Sequence, residues 1–324
     1  MIVRLAAGLF GAGIALRNSL YDHGQLRSRE LAGPVISIGN ISVGGSGKTP
    51  FTIALGELLK KRGIPFDVLS RGYRRETRGP LFVDPAGTAR QFGDEPLLIA
   101  RELGVDVIVG ESRYAAGKLA ERKFGPRLHL LDDGFQHRKL ARQFDIVLVS
   151  EQDLHGTLLP AGHLREPASS LPRADALVTT VDFGASTLKT TVPIWRTERK
   201  LSLGAPHLPS VGRCGIPERP LPFCGIARPH QFFSQLRALG ITSVHEHVFR
   251  DHHRYTAADL AHLDRLAVQH RADSFITTAK DAINLEAFKL ALPLHIAHLS
   301  VTIFNPAHVL DTLLTTLRAR GKTF

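Results

Sequence analysis

Short apolar, β-branched runs alternate with helical periodicity through the first 180 residues. Val35–Ile38, Phe66–Leu69, Val105–Val109, Leu128–Leu131, Asp145–Val149 and Ala176–Thr179 read as strands. Thr49–Arg62 and Glu95–Leu103 read as helices between some of them. This rhythm predicts a parallel sheet wrapped by helices. From Phe183 to Pro222 the chain is richer in Pro and Gly, carries one strand candidate at Pro193–Glu198, and reads as a linker. A second rhythm then begins, with strands at Phe223–Ile226, Val244–Phe249, Ser274–Thr277 and Leu294–Leu299. Its helices fall at His230–Leu239, Ala257–His270, Leu285–Leu290 and from about Pro306. Two α/β domains with a cleft between them is the expected architecture.

The amino terminus breaks the rhythm. Leu5 to Leu16, LAAGLFGAGIAL, is uncharged, with Arg4 before it and Arg17 after it. A helix of this length rises about 18 Å, short of the ~30 Å hydrocarbon core of a bilayer. Small and apolar residues flanked by arginines suit a helix lying in the headgroup region. A buried core helix and a cleaved signal peptide are the competing readings. The expected organisation begins with a membrane-surface helix over residues 1–22.

Length and composition narrow the partners. The chain has 324 residues, 43% hydrophobic and 22% charged, an ordinary globular mixture that excludes low complexity and collagen. Cys214 and Cys224 are too few for a zinc site or a disulfide framework and read as reduced thiols. A formal net charge of +11 calls for an anionic partner: nucleic acid, an acidic membrane surface or a phosphorylated substrate.

Val35–Thr49, VISIGNISVGGSGKT, supplies the chemistry: a buried strand, a glycine-rich turn, then Lys48 and Thr49 opening a helix. Such a turn aims several backbone N–H groups and a helix N-terminus at one point, which is an anion site. Gly44, Gly45, Ser46, Gly47, Lys48 and Thr49 are the candidate phosphate binders, Lys48 reaching the β- and γ-phosphates and the Thr49 hydroxyl holding Mg2+. Ser42 stands where the usual GxxxxGK(S/T) pattern begins with glycine, and Gly44 and Gly45 are expected to provide the flexibility instead. The fold class is therefore α/β: a P-loop NTPase-like parallel-sheet domain over 23–185, a short β-containing linker over 186–221, and a smaller α/β domain over 222–324 closing over the active site.

Leu128–Asp133 is an apolar strand ending in two acids. In a parallel sheet the carboxyl ends of strands line the ligand crevice, so one of Asp132 and Asp133 is placed to bind Mg2+ beside Thr49. Asp94 sits where another helix begins and, on the residues alone, is equally an N-cap. Arg71, Arg74, Arg75 and Arg78 form either a solvated basic loop or a site for a phosphate group, by bidentate pairing that lysine does less well. His245, His247, Asp251, His252 and His253 leave open a metal cluster, a solvated strand end or a catalytic histidine.

GNISVGGSGKTP (Gly39–Pro50), SRGY (Ser70–Tyr73), GDEP (Gly93–Pro96), DDGFQHR (Asp132–Arg138) and LPAGHLREP (Leu159–Pro167), in this order and spacing, resemble the tetraacyldisaccharide 4'-kinases, the lipid A 4'-kinases of Gram-negative bacteria. GIARPHQFF (Gly225–Phe233), FRDHH (Phe249–His253) and TTAKDA (Thr277–Ala282) echo the same family in the second half. Two departures stand out: SRGYR for the commoner SRGYG, and His163 where proline is usual.

The resemblance implies a peripheral kinase on the cytoplasmic face of the bacterial inner membrane. It moves the γ-phosphate of ATP to the 4'-hydroxyl of tetraacyldisaccharide 1-phosphate, giving lipid IVA. Its cofactors are ATP and Mg2+, and its partner is a glycolipid in an anionic membrane, met through the N-terminal helix. The resemblance makes Asp94 the base for the hydroxyl proton, with His252 as its partner once the cleft closes. Glu166 joins Thr49 and Asp132 around the metal, and Arg113 steadies transferring oxygens unless it is an ordinary helix-start arginine. Arg71, Glu95, Asp133, Gln136 and His137 fall near acceptor or phosphates.

Two other classes are weighed against this. A P-loop kinase or NTPase acting on a soluble substrate shares the loop, but the Asn-Lys-x-Asp motif of a GTPase does not follow either late strand. A nucleic-acid-binding module shares the basic charge, but aromatics are only 7% and do not interleave with the arginines, so no nucleic-acid partner is expected. Nothing in the sequence bears on oligomeric state.

Overall fold

The computed structural model describes residues 2–180, 188, 190–204, 217–286 and 288–323. Helix α1 spans Ile2–Asp22, longer at both ends than the uncharged stretch, and none of its residues is buried. That overturns the buried-core reading. Ile2, Leu5, Leu9 and Leu16 are each more than half exposed. Among the described residues no helix is long and apolar enough to cross a membrane. Polar contacts hold α1 at its carboxyl end: Arg138 donates to Asp22 at 2.7 Å and to the Asn18 carbonyl at 3.1 Å. The Asn18 amide donates to Glu166 at 3.0 Å.

The first α/β unit forms as its periodicity predicts. Strand β1 (Val35–Asn40) is wholly buried, and α2 (Lys48–Lys61) turns Phe51, Leu55 and Leu59 inward. Then come β2 (Phe66–Ser70), the short β3 (Leu81–Phe82), α3 (Ala89–Phe92), α4 (Asp94–Leu103), β4 (Val107–Val109) and α5 (Arg113–Phe124). Strands β5 (Leu128–Asp132) and β6 (Phe144–Leu148) flank β1 on either side, both parallel to it. After α6 (Glu151–Leu154), β7 (Ala176–Thr180) extends the parallel sheet beside β6. The chain reverses its strand order around β1, and at such a switch point a crevice opens above the strand ends.

The stretch read as a linker departs from expectation. Its strand, β8, runs from Ile194 to Leu203, pairs parallel with β7, and pairs antiparallel with β12 (Leu294–Ile303) over seven positions. Burial alternates along β8, the pattern of a strand built into a sheet. Cys214 and the remainder of that stretch near it lie outside the described residues. Beyond β8 come β9 (Pro220–Cys224), α7 (Pro229–Ala238), β10 (His247–Val248), α8 (Ala257–His270), β11 (Ser274–Thr278) and α9 (Ala279–Leu285). Among the described residues these strands form one twelve-stranded sheet, ordered β10-β9-β11-β12-β8-β7-β6-β1-β5-β2-β4-β3.

Helix α10 (Pro306–Ala319) returns to the first unit and packs on α2 and β6. It buries Val309, Leu310, Leu313, Leu314 and Leu317 in the same core as Phe144 and Trp195. Each such side chain contributes roughly 1.5–3 kcal/mol by leaving water. The segment 222–324 therefore sends its last helix into the core of the first unit and packs its other elements around clusters of their own. Its own part of the sheet is filled by Leu221, Phe223, Leu263 and Phe275 on one side and by Phe232, Phe233, Leu236 and Ile276 on the other.

Candidate active site

A cleft of ≈1140 Å3 opens over the carboxyl ends of the strands, between the β1–α2 loop and residues 226–228, 251–252 and 278–280. The loop is set by backbone geometry. Gly44 and Gly47 take φ of 73° and 83°, the left-handed region that L side chains rarely occupy. A Cβ on Gly47 would also stand 2.7 Å from the Arg199 guanidinium, and one on Gly44 would stand 2.6 Å from Ala227. Ser42, in place of the usual first glycine, is buried and accepts from the Asn40 amide at 3.1 Å. Its neighbours pair with the segment between α6 and β7: Val43 N–H donates to the His163 carbonyl at 2.8 Å and Arg165 N–H to the Ile41 carbonyl at 2.7 Å. Side chain and backbone hydrogen bonds thus fix a turn that the sequence pattern assigns to glycine.

Lys48 lies along this loop. Its Nζ donates to Asn40 Oδ1 at 3.1 Å and sits 3.4 Å from Asp133. Asp133 also receives Arg165 Nη1 at 2.9 Å. Burial alone would raise its pKa, but Lys48 and Arg165 hold the carboxyl down to about 2. Asp132 is the opposite case. It ends β5 beside Ile38 of β1, and among the described residues its side chain accepts only the Ser70 hydroxyl, at 3.3 Å. Burial first, then Glu95 and Asp133, push it up to about 7. A buried carboxylate with no salt bridge among the described residues is a group in need of a cation. Thr49 lines the same cleft.

Among the described residues there is no group of three or more His, Cys, Asp or Glu side chains placed to hold a metal. Mg2+ commonly binds through one or two carboxylates plus phosphate oxygens, and Asp132 with the Thr49 hydroxyl is a donor set of that kind. The histidine stretch forms no metal cluster. Instead the His245 ring stacks on His270 with centroids 4.5 Å apart, and His247 meets His262 edge-on at 5.1 Å.

Glu166 departs from the expected metal shell. It is fully buried, receives Arg173 at 2.7 Å and Asn18 at 3.0 Å, and does not line the cleft. The reason is local: successive side chains in this extended segment point opposite ways, so Arg165 faces the loop and Glu166 faces α1. Arg173 holds the Glu166 carboxyl below its ordinary range against the effect of burial. Removing one partner from a buried pair costs about 3–5 kcal/mol. Glu166→Ala should therefore lower stability by that order in a denaturant melt of the nucleotide-free protein, and an unchanged midpoint would show that the pair carries no weight.

Across the cleft, Asp94 opens α4 but is not its cap. Gly93 holds the cap position, and Asp94 Oδ2 accepts from His252 Nδ1 at 2.9 Å. The two side chains already meet without any further closure. Burial works to raise the Asp94 pKa, yet the His252 hydrogen bond and Lys280 hold it below its ordinary value. Burial opposes protonation of His252, but Asp94 raises its pKa overall. Arg74 takes the left-handed φ of 58°, which accounts for glycine being commoner there. It donates to the His252 carbonyl at 2.8 Å, a contact glycine does not offer.

The other predicted residues divide. Glu95 and Arg71 line the cleft, Glu95 paired with Lys280 at 3.1 Å. Arg113, Gln136 and His137 do not line it. Arg113 is buried behind Arg71; burial and that neighbouring charge lower it to about 10. The Gln136 amide donates to the Asn40 carbonyl at 2.9 Å, which steadies the start of the loop. Burial and then Arg113 push His137 down to about 4. Sequence reasoning missed Arg165, Arg199, Arg228 and Lys280, all of which line the cleft. Lys280 lay within TTAKDA and Arg165 within LREP, so both had a motif to point to them; Arg199, on an alternating strand, had none.

An anion-binding loop with its lysine, a buried carboxylate needing a cation, and a carboxylate–imidazole pair facing them suit one task. They bind a polyphosphate and take the proton from a hydroxyl laid beside it, which is the work of a P-loop kinase. Comparison with known proteins narrows the class. The profile of the tetraacyldisaccharide-1-P 4'-kinase family matches residues 1–318, and the chain belongs to that family. It is 47% identical to the tetraacyldisaccharide 4'-kinase of Koribacter versatilis, over 97% of this chain and 98% of the other. It is 40% identical to that of Aquifex aeolicus, over 85% and 87%. The crystal structure of the "apo" form of LpxK from Aquifex aeolicus in complex with ATP superposes with a TM-score of 0.78 at 34% identity, covering 96% of each chain.

Proposed function

We propose that the chain transfers the γ-phosphate of ATP to the 4'-hydroxyl of tetraacyldisaccharide 1-phosphate, yielding lipid IVA. The observation that carries this reading is the Asp94–His252 pair, at 2.9 Å, facing the phosphate loop across one cleft in a chain of this family. Phosphoryl transfer asks the protein for alignment and charge neutralisation more than for covalent chemistry. The amides of Gly44–Thr49 and the Lys48 ammonium hold the triphosphate. Arg199, which donates to the Ser46 carbonyl, adds positive charge behind the loop. Asp132 and the Thr49 hydroxyl would hold Mg2+, which when bound neutralises phosphate charge. Asp94 accepts the 4'-hydroxyl proton as the new O–P bond forms and the bond from the γ-phosphorus to the β,γ-bridging oxygen breaks, releasing ADP, and the His252 hydrogen bond keeps its carboxylate aimed.

The test is transfer of labelled phosphate from Mg·ATP to tetraacyldisaccharide 1-phosphate in detergent micelles, run beside the same disaccharide stripped of its acyl chains. Label confined to the acylated acceptor supports the lipid kinase; equal labelling of both would favour a kinase of soluble sugars.

The membrane contact rests on a separate observation. The exposed apolar residues of α1, together with the basic excess, suit a helix lying on an anionic surface. Both features support a peripheral enzyme on the inner-membrane face where ATP is present. Leu5→Glu with Leu9→Glu should lower sedimentation with anionic vesicles by about tenfold, since each change removes apolar burial and adds charge repelled by the surface. Phosphate transfer to a short-chain acceptor in detergent should stay near wild type.

A further inference from the structure

Lys280 has no role in the chemistry above, yet it touches both halves of the Asp94–His252 pair. Its Nζ lies 3.1 Å from His252 Nε2 and 3.8 Å from Asp94 Oδ2. Glu95 at 3.1 Å and Asp251 at 3.9 Å complete its surroundings. These carboxylates outweigh burial and keep the amine an ammonium, its pKa raised. An ammonium has only protons to offer, so the Nε2 it faces must present a lone pair. His252 then carries its single proton on Nδ1, where it is donated to Asp94.

We propose that Lys280 is a positioning residue that fixes the tautomer of His252 and counters the pull of Asp94 toward a second proton on the imidazole while Asp94 works as the base. The inference rests on the kinase reading and deepens it. A second proton on His252 would turn its contact with Asp94 into an ion pair and make the carboxylate a poorer proton acceptor. The Lys280 charge opposes that second proton.

The groups facing His252 all bear on its titration. Asp94 and Glu95 on α4 and Asp251 on its own loop favour the imidazolium; Lys280 on α9 opposes it. Arg74 donates to its backbone carbonyl, and the Tyr73 ring packs edge-on with centroids 5.0 Å apart. Lys280 is the cation directed at Nε2. The placement is built in, since Thr278 caps α9 and bonds Asp281 at 2.6 Å. Asp281 in turn receives the Gly225 N–H at 3.0 Å, and the Gly225 carbonyl accepts the His252 N–H at 3.0 Å.

The experiment follows His252 by nitrogen-15 NMR across pH in the full-length nucleotide-free protein, its signal assigned by loss in His252→Gln. In parallel, kcat against pH is measured in the micelle assay. In Lys280→Met the His252 midpoint should rise by about 1–3 pH units, the range a like charge at this distance exerts. The acid limb of kcat should move with it, while KM for ATP stays within about twofold. Lys280→Arg, which keeps the charge, should lie near wild type in both, and Lys280→Gln should repeat the methionine result. An unchanged midpoint and acid limb in a folded Lys280→Met protein would overturn the proposal, whatever the fall in kcat. Failure of the kinase reading itself would show separately, as absence of labelled lipid in the wild-type control.

Discussion

Replacing Asp94 by asparagine should lower kcat for phosphate transfer by about 10²–10⁴-fold, the usual contribution of a placed general base. KM for ATP should stay within about twofold. Asparagine is close in shape and can still accept the His252 hydrogen bond, so the 2.9 Å contact and the opening of α4 should survive. What is lost is the capacity to take a proton. The lowered Asp94 pKa works against that task, because an acidic carboxylate is a weak base. Phosphoryl transfer resolves the tension. Its transition state is loose, and the hydroxyl becomes acidic only as its oxygen bonds to phosphorus, so a weak but aimed base suffices. Steady-state rates with varied ATP and saturating lipid decide the matter. An equal rise in KM for ATP would move Asp94 from the acceptor side to the nucleotide side.

Lys48→Met should reduce kcat/KM for ATP by about 10²–10³-fold, comparable to removing one preorganised donor from a developing charge. Methionine keeps length and apolar volume but cannot neutralise phosphate oxygens. The change has a second effect within the apo site. Asp133 would keep Arg165 at 2.9 Å but lose the ammonium 3.4 Å away, so its carboxyl should rise from the low value the two cations impose. Nucleotide binding by calorimetry and single-turnover transfer separate the two contributions. Weak ATP binding with an intact single-turnover rate would place Lys48 in ground-state binding alone.

Much of the first unit was legible because its physics is local. β1 begins where its apolar run begins, and α8 matches its predicted bounds of Ala257 to His270, with Thr256 as cap. The errors arose where distant parts of the chain decide. Leu285–Leu290 looked helical by composition, but the helix is Ala279–Leu285, because Thr278 caps it and binds Asp281. Val244–Phe249 looked like a strand, yet only His247 and Val248 pair, at the sheet edge, where histidine rings pack on one another. Glu166 and Arg165 differ by one position, and only the pairing of that segment with Ile41 decides which faces the loop. Asp94 and His252 are 158 positions apart, and no local pattern joins them. The family resemblance did so, and the structure brings the two side chains into contact. Lys280 lay within the TTAKDA echo, whereas Arg199 had no such pointer: it reaches the cleft from β8, whose place between β7 and β12 no local pattern gives.

That strand has a mechanical consequence. The seven-position ladder between β8 and β12 joins the two halves of the molecule. β7 holds β8 only as far as Thr197, and β11 holds β12 only as far as Ala297, so residues 198–202 and 298–302 form a two-stranded ribbon between the wider parts of the sheet. Such a ribbon bends and twists with its own hydrogen bonds intact, while α10, packed on the first unit, tethers the far end. The same ribbon resists dissection. Cutting the chain between β7 and β8 would bare a long unpaired strand edge, which is prone to self-association. Halves produced separately should precipitate, and produced together they should re-form the intact sheet.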